Sequence, residues 1–419
     1  MFRSKRNTSQ YRQLRYLIYT PFGMPLRVFS RRTFLSGIAA LAVSQTVPSL
    51  GQDIFTSKEL ADMARGEAQH EGDAPEQTLP LARLSPELKA SAVKKAIKKV
   101  AGWELARSQR YFNQDWTFAA LYTGFMAASE ATGQPRYRDA MLTMGNRFDW
   151  KLGPRLEHAD DQCIGQTYLE LYSHYHAAKM IAPLRAEFDT ILALPVAPND
   201  KLPWWWCDAL FMAPPVWAGL ARATGERKYL EFMNREWWRT SAKLYDAEEH
   251  LFYRDATFIP LREKNGKKVF WSRGNGWVMA GLARVLTAMP RNYPDRARYV
   301  EQFEQMAEAI RNLQCADGLW RSGLLDAASY SLPEVSGSSF FVYALAWGLN
   351  QGLLDRPAYE PVILRAWKGL LQHVYEDGRL GCIQQVGARP AHFKATSSYV
   401  YGVGAFLLAG SEVIHVHKA

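Results

Sequence analysis

The 419-residue chain has only four cysteines, Cys163, Cys207, Cys315 and Cys382. They are too few and too scattered for a disulfide scaffold or a cysteine-rich zinc site. No run of 18 apolar residues is present, which excludes an ordinary transmembrane helix. No His-x-x-x-His occurs among the nine histidines. The two His-x-His pairs, His174/His176 and His415/His417, have no nearby cysteine or third histidine. Residues two apart on a helix point to different faces, so His174/His176 makes a weak chelate. Neither a Walker motif nor a dinucleotide fingerprint appears. No metal and no cofactor are therefore expected. What is abundant is apolar: 48% of the residues, which rules out a disordered chain.

Acidic residues are missing from positions 1–52, where eight Lys or Arg stand alone. Without them the net charge of +10 falls to +2, so the basic balance gives no support to a nucleic-acid partner. Ser30-Arg31-Arg32-Thr33-Phe34-Leu35 precedes a short apolar stretch, Gly37 to Val43. Adjacent arginines before a brief apolar segment resemble a twin-arginine export signal. The expected organisation is a leader over 1–52 that is removed, an extension over 53–83, and a helical domain over 84–419. Export would place the protein in the periplasm. No oligomeric state is legible.

From residue 84 onward the pattern predicts helices over 84–110, 117–131, 135–151, 161–178, 181–194, 208–223, 227–244, 275–289, 295–314, 337–351, 360–374 and 397–415. Two turns are near copies: Ala131-Thr132-Gly133 before Tyr137, and Ala223-Thr224-Gly225 before Tyr229. Each places glycine where a helix ends with positive φ, as in an αα-hairpin. Twelve helices in six hairpins predict an all-α fold, an (α/α)6 toroid; an open solenoid is the alternative.

Unusual residues open every second segment: Asp115-Trp116, Asp160-Asp161-Gln162, Trp206-Cys207-Asp208, Arg273-Gly274-Asn275-Gly276-Trp277, Ser336-Gly337-Ser338-Ser339 and Thr396-Ser397-Ser398-Tyr399. If these segments form the inner ring, all six signatures meet at one mouth. Asp, Ser and Thr are also ordinary N-caps, which accounts for Ser336 and Thr396 but not for Trp, Arg and paired Asp. Aromatic faces beside carboxylates suit a sugar cleft, and the same Trp residues would serve equally as core. Asp208, between three tryptophans and Ala209-Leu210-Phe211-Met212, is the leading acid, since desolvation raises a carboxyl pKa. Asp160 and Asp161 offer the second carboxylate of a glycosidase pair. Arg273 and Trp277, four apart, suit a sugar carboxylate or a structural Arg-on-Trp contact.

Together Asp160-Asp161-Gln162, Trp206 to Pro215, Trp271 to Trp277 and Leu332 to Phe340 resemble glycoside hydrolase family 105, the unsaturated rhamnogalacturonyl hydrolases, over about 95–415. The resemblance implies an (α/α)6 barrel that acts on an acidic oligosaccharide left by a polysaccharide lyase. It implies release of the terminal 4-deoxy-4,5-unsaturated uronic acid by protonation at C4 and addition of water at C5. Asp208 then matches the acid, and Asp161, slightly ahead of Asp160, the second carboxylate. Trp116, Trp206, Arg273, Trp277 and Ser338 match substrate-binding positions. The family's histidines are absent after Phe252-Tyr253 and before Asp208, and Arg254 is expected to bind the uronate instead. An unsaturated glucuronyl hydrolase related to family 88, another (α/α)6 enzyme such as a lyase or epimerase, and a non-catalytic carbohydrate-binding protein are the competing readings.

Overall fold

Long helices that bury residues on every side alternate along the chain with helices that bury a single stripe. The computed structural model describes residue 74 and residues 76–417, all within the unit Ala61–Ala419. The leader expected over 1–52 lies outside the described residues. Among them the α-helices run α1 Ala90–Ser108, α2 Trp116–Thr132, α3 Pro135–Arg147, α4 Ala159–Gln162, α5 Gly165–Tyr175, α6 Ala182–Leu192 and α7 Ala209–Met212. They continue as α8 Pro214–Thr224, α9 Arg227–Leu244, α10 Ser272–Ala288, α11 Arg296–Asn312, α12 Val335–Asn350, α13 Arg356–Leu371 and α14 Val400–Val413. One small hairpin, β1 Tyr245–Asp246 with β2 Leu251–Phe252, follows α9.

The burial pattern assigns the layers. α12 buries every residue from Val335 to Leu349, and α14 every residue from Val400 to Gly410. A helix apolar all round needs neighbours on all sides. α3 buries only Tyr137, Met141, Met144 and Gly145, one face of a helix whose other side meets water. The inner helices pack in order, α2 on α5, α5 on α8, α8 on α10, α10 on α12, α12 on α14, and α14 back on α2. That closed circuit is the (α/α)6 toroid, with α1, α3, α6, α9, α11 and α13 outside.

Closure joins the first inner helix to the last. A Cβ at Gly124 of α2 would lie 2.7 Å from Gly404 Cα, and one at Gly404 of α14 would run into Ala120 O. Only glycine lets these two backbones touch. The two copied turns behave as expected: Gly133 and Gly225 end α2 and α8 at φ 69° and 76°.

Differences from the expected segments have local causes. The sixth segment breaks after Met212, because Pro214 and Pro215 donate no backbone hydrogen bond and instead start α8. The fourth breaks at Cys163-Ile164 into α4 and α5. The first starts at Ala90 rather than 84, after a turn around Pro86 in which Glu87 N donates to Ser85 Oγ. The eighth starts at Ser272, so Arg273 lies in a first helical turn rather than a loop. Residues ahead of α1 run along the C-terminal part of the chain, with Ala82 N donating to Val374 O and Lys394 paired with Glu76.

Candidate active site

The site is assembled by a short stretch of paired backbone. Trp206 and Asp255 form an antiparallel bridge, and Cys207 N donates to Arg254 O at 2.8 Å. Asp255 caps the turn that follows: Oδ1 accepts from Thr257 N at 2.9 Å and Oδ2 from Arg254 Nη1 at 2.8 Å. The pairing sets Arg254 beside Asp208, with Nε 3.4 Å from Asp208 Oδ2. This is an ion pair without hydrogen-bond alignment, so the buried Nε of Arg254 has no hydrogen-bond partner.

The strand β2, just ahead of Arg254, is pinned to α10. Asn275 Oδ1 accepts from Phe252 N at 2.7 Å, and Asn275 Nδ2 donates to Phe252 O at 3.0 Å. The asparagine of the Arg-Gly-Asn-Gly-Trp signature is thus a backbone clamp.

Asp208 is buried. Burial pushes its carboxyl above the usual value, while Arg254, and then Arg273, pull the other way. Asp160, in α4, is pushed up to about 7, first by burial and then by the negative charge of Asp208, against the pull of Arg155. The charge of Asp208 therefore reaches Asp160. Like charges so placed resist being ionised together, and the pair keeps a proton toward neutral pH.

Asp161 is turned away from this pair. Its Oδ1 accepts from Arg155 Nη2 at 2.5 Å, and its Oδ2 from Arg155 N at 2.7 Å. Both oxygens are spent on holding the loop before α4. Asp161, slightly preferred from the sequence, thus has both oxygens engaged by Arg155, whereas Asp160 feels the charge of Asp208. His158 N-caps this segment and sits with Nδ1 3.7 Å from Asp160 Oδ2. Its pKa is lowered, mainly by burial, so its ring stays neutral.

Other expected contacts lie elsewhere. Arg273 is fully buried, with Nη1 donating to Gln384 O at 2.9 Å and Nη2 to Gln385 O at 2.8 Å. Its guanidinium is sandwiched between Trp271 and Tyr401, 4.3 and 4.9 Å from their ring centroids. It supports the mouth from behind and offers no open face to a ligand. Trp277 is buried among Phe340, Phe211 and Trp116, with centroid separations of 4.2, 4.8 and 6.1 Å. It is inner-ring core. Ser338 Oγ is buried and accepts from Trp320 N at 3.0 Å, so it too is structural. Trp206 is buried, 5.1 Å from the His158 ring. Trp116 is half-buried and stacks on Tyr401 at 5.3 Å. Asp208, Asp160, Arg254 and Trp206 come together, while Trp116 packs with Trp277 and Tyr401.

Sequence reasoning missed Arg155, His158, Tyr401 and the Gln384-Gln385 segment. Arg155 and His158 stand close before the Asp160-Asp161 pair, where a charged residue beside an acidic pair was a usable signal. Gln384 and Gln385 carry none, because their role is carried by main-chain carbonyls. Among the described residues no cluster of three or more His, Cys, Asp or Glu is arranged to hold a metal.

Comparison with known proteins places this geometry. The sequence profile described as Glycosyl Hydrolase Family 88 matches residues 66–417. A relative from Formosa agariphila named unsaturated 3S-rhamnoglycuronyl hydrolase is 42% identical over 73% of this chain and 85% of its own length. A solved structure, glycosyl hydrolase family 88 from Bacteroides vulgatus, is 31% identical with a TM-score of 0.74, covering 78% of this chain and 99% of that one. Another solved structure, titled a polysaccharide lyase, is 33% identical with a TM-score of 0.75, covering 79% and 98%. Structures described as family 105 members are 17% and 21% identical and share the fold alone.

Proposed function

The chain belongs to Glycosyl Hydrolase Family 88, and on that footing we propose that it removes an unsaturated uronic acid from the non-reducing end of lyase-generated oligosaccharides. It is a glycoside hydrolase; the substrate and the residue roles are the proposal. The observation that carries it is the buried carboxyl of Asp208, 3.4 Å from Arg254 Nε, with Asp160 close enough to feel its charge.

Asp208, protonated, donates to C4 of the enol ether. Asp160, ionised, takes a proton from water as its oxygen bonds to C5. The resulting hemiketal opens, the neighbouring sugar leaves with its hydroxyl, and the proton held by Asp160 passes back to Asp208, restoring the starting protonation of the pair. Arg254 meets the uronate carboxylate, since its guanidinium stands beside Asp208 and its charge complements an anion. A neutral His158 beside Asp160 adds no competing positive charge.

The curated relative's name supports an unsaturated rhamnoglycuronyl substrate. Hydration of the C4=C5 bond is the chemistry proposed, and galacturonyl and glucuronyl forms are both to be assayed. Incubation with unsaturated disaccharides of each type should abolish the ultraviolet absorbance of the C4=C5 bond. Appearance of that absorbance from an intact polysaccharide would mark a lyase. Binding without either change would mark a lectin.

Residues 1–52 are proposed as an export leader of the twin-arginine type, on Arg31-Arg32 and the apolar stretch that follows. Replacing both arginines by lysine should hold the protein in the cytoplasm; continued export would end that reading.

A further inference from the structure

Three tryptophans precede Asp208, and the structure treats each differently. Trp204 is buried, and its carbonyl accepts from Thr240 Oγ1 at 2.7 Å. Trp206 is buried against His158. Trp205 is 51% exposed, the only tryptophan among the exposed large hydrophobic side chains of the described residues. An indole left half open costs burial energy that its two neighbours gain, so its exposure asks for an occupant.

The exposed ring is also held in place. The Arg254 guanidinium lies over it, 5.3 Å from the ring centroid. Trp206 packs at 4.8 Å with a 52° tilt. Arg254 in turn reaches Asp208 at 3.4 Å. The indole is therefore one to two sugar rings from the acid, linked to it through a single side chain. The loop that begins at Arg254 carries two further exposed apolar residues, Ile259 and Leu261. They extend the apolar ground on the outward side.

We propose that Trp205 is the platform for the sugar next to the unsaturated uronyl residue, so that it sets the preference for what is being released. The inference rests on the hydrolase reading above and adds a specificity residue to it. A pyranose presents C–H groups on its face, and a rigid indole offers a matching flat surface with little conformational entropy to lose. Arg254 would meet the uronate on one side and brace this platform on the other, so the terminal and neighbouring sugars share one rigid support.

The test uses Trp205→Ala and Trp205→Phe in the full chain with two substrates. One is an unsaturated disaccharide; the other is the same unsaturated uronic acid carrying only a methyl aglycone. The proposal expects Trp205→Ala to raise KM for the disaccharide about tenfold with kcat little changed, and to leave the methyl glycoside unaffected. Trp205→Phe should restore most of the loss. Equal losses on both substrates would show a merely structural role through Arg254 and overturn the proposal, as would no loss on either. Failure of the hydrolase reading looks different: the wild-type protein would then consume neither substrate.

Discussion

Asn275 binds Phe252 as one peptide binds another, accepting from its N–H at 2.7 Å and donating to its carbonyl at 3.0 Å. Both backbone groups are buried, so no water replaces the clamp. Asn275→Ala should destabilise the protein by about 2 kcal/mol or more, the cost of leaving a buried donor and acceptor unpaired. It should also lower kcat/KM, because Arg254 follows Phe252 by two residues. Urea denaturation and steady-state kinetics measure the two effects on one sample; an unchanged midpoint would refute the clamp.

Asp208→Asn keeps the shape of the acid and removes its proton. Turnover should fall about a thousandfold, the usual scale for losing a positioned general acid. The far-ultraviolet circular dichroism spectrum should be unchanged. An asparagine variant of near-normal rate would transfer the role to another group.

The neighbouring aspartates should separate chemistry from architecture. Asp160→Asn should lower kcat strongly while leaving the melting temperature close to that of the parent. Asp161→Asn should do the reverse, weakening charge-assisted bonds to Arg155 and costing about 1–3 kcal/mol of stability. Thermal melts combined with kcat per folded molecule would expose a reversal of these assignments.

The pH profile of kcat/KM should be bell-shaped. The base must be ionised, and Asp160 holds its proton up to about 7. Activity therefore falls as pH drops through that region. One carboxyl of the pair must be protonated to act as the acid, so activity falls again on the alkaline side as the pair loses its last proton. The limbs belong to the pair rather than to single residues. Arg254 favours the ionised form of Asp208. Arg254→Gln should thus move the alkaline limb to higher pH while raising KM. A limb that stays put or moves down would break the link between the two residues.

Much of the ring was legible, because helical periodicity and the glycines at 133 and 225 are local signals. The break before Pro214 is also a local signal, since neither Pro214 nor Pro215 can donate a backbone hydrogen bond. Asp208 stood out through its own apolar neighbours. The roles of Arg273 and Trp277 did not: their spacing puts them near one another, but which side of α10 meets the mouth depends on how six helices pack around the ring. Gln384 and Gln385, far along the chain, then take up Arg273 through their carbonyls. The same dependence hid the difference between Trp205 and Trp206, adjacent residues with opposite surroundings.

The contact between Gly124 and Gly404 has a temporal side. α2 is made well before α14, the last of the described helices, so the circle stays open until residues 400–413 have left the ribosome. Until then α2 and α12 each present an unmatched apolar flank, the kind of surface that draws partly folded chains together. A premature stop before residue 400 would leave that gap permanently, and aggregation rather than a smaller working enzyme is the expected product.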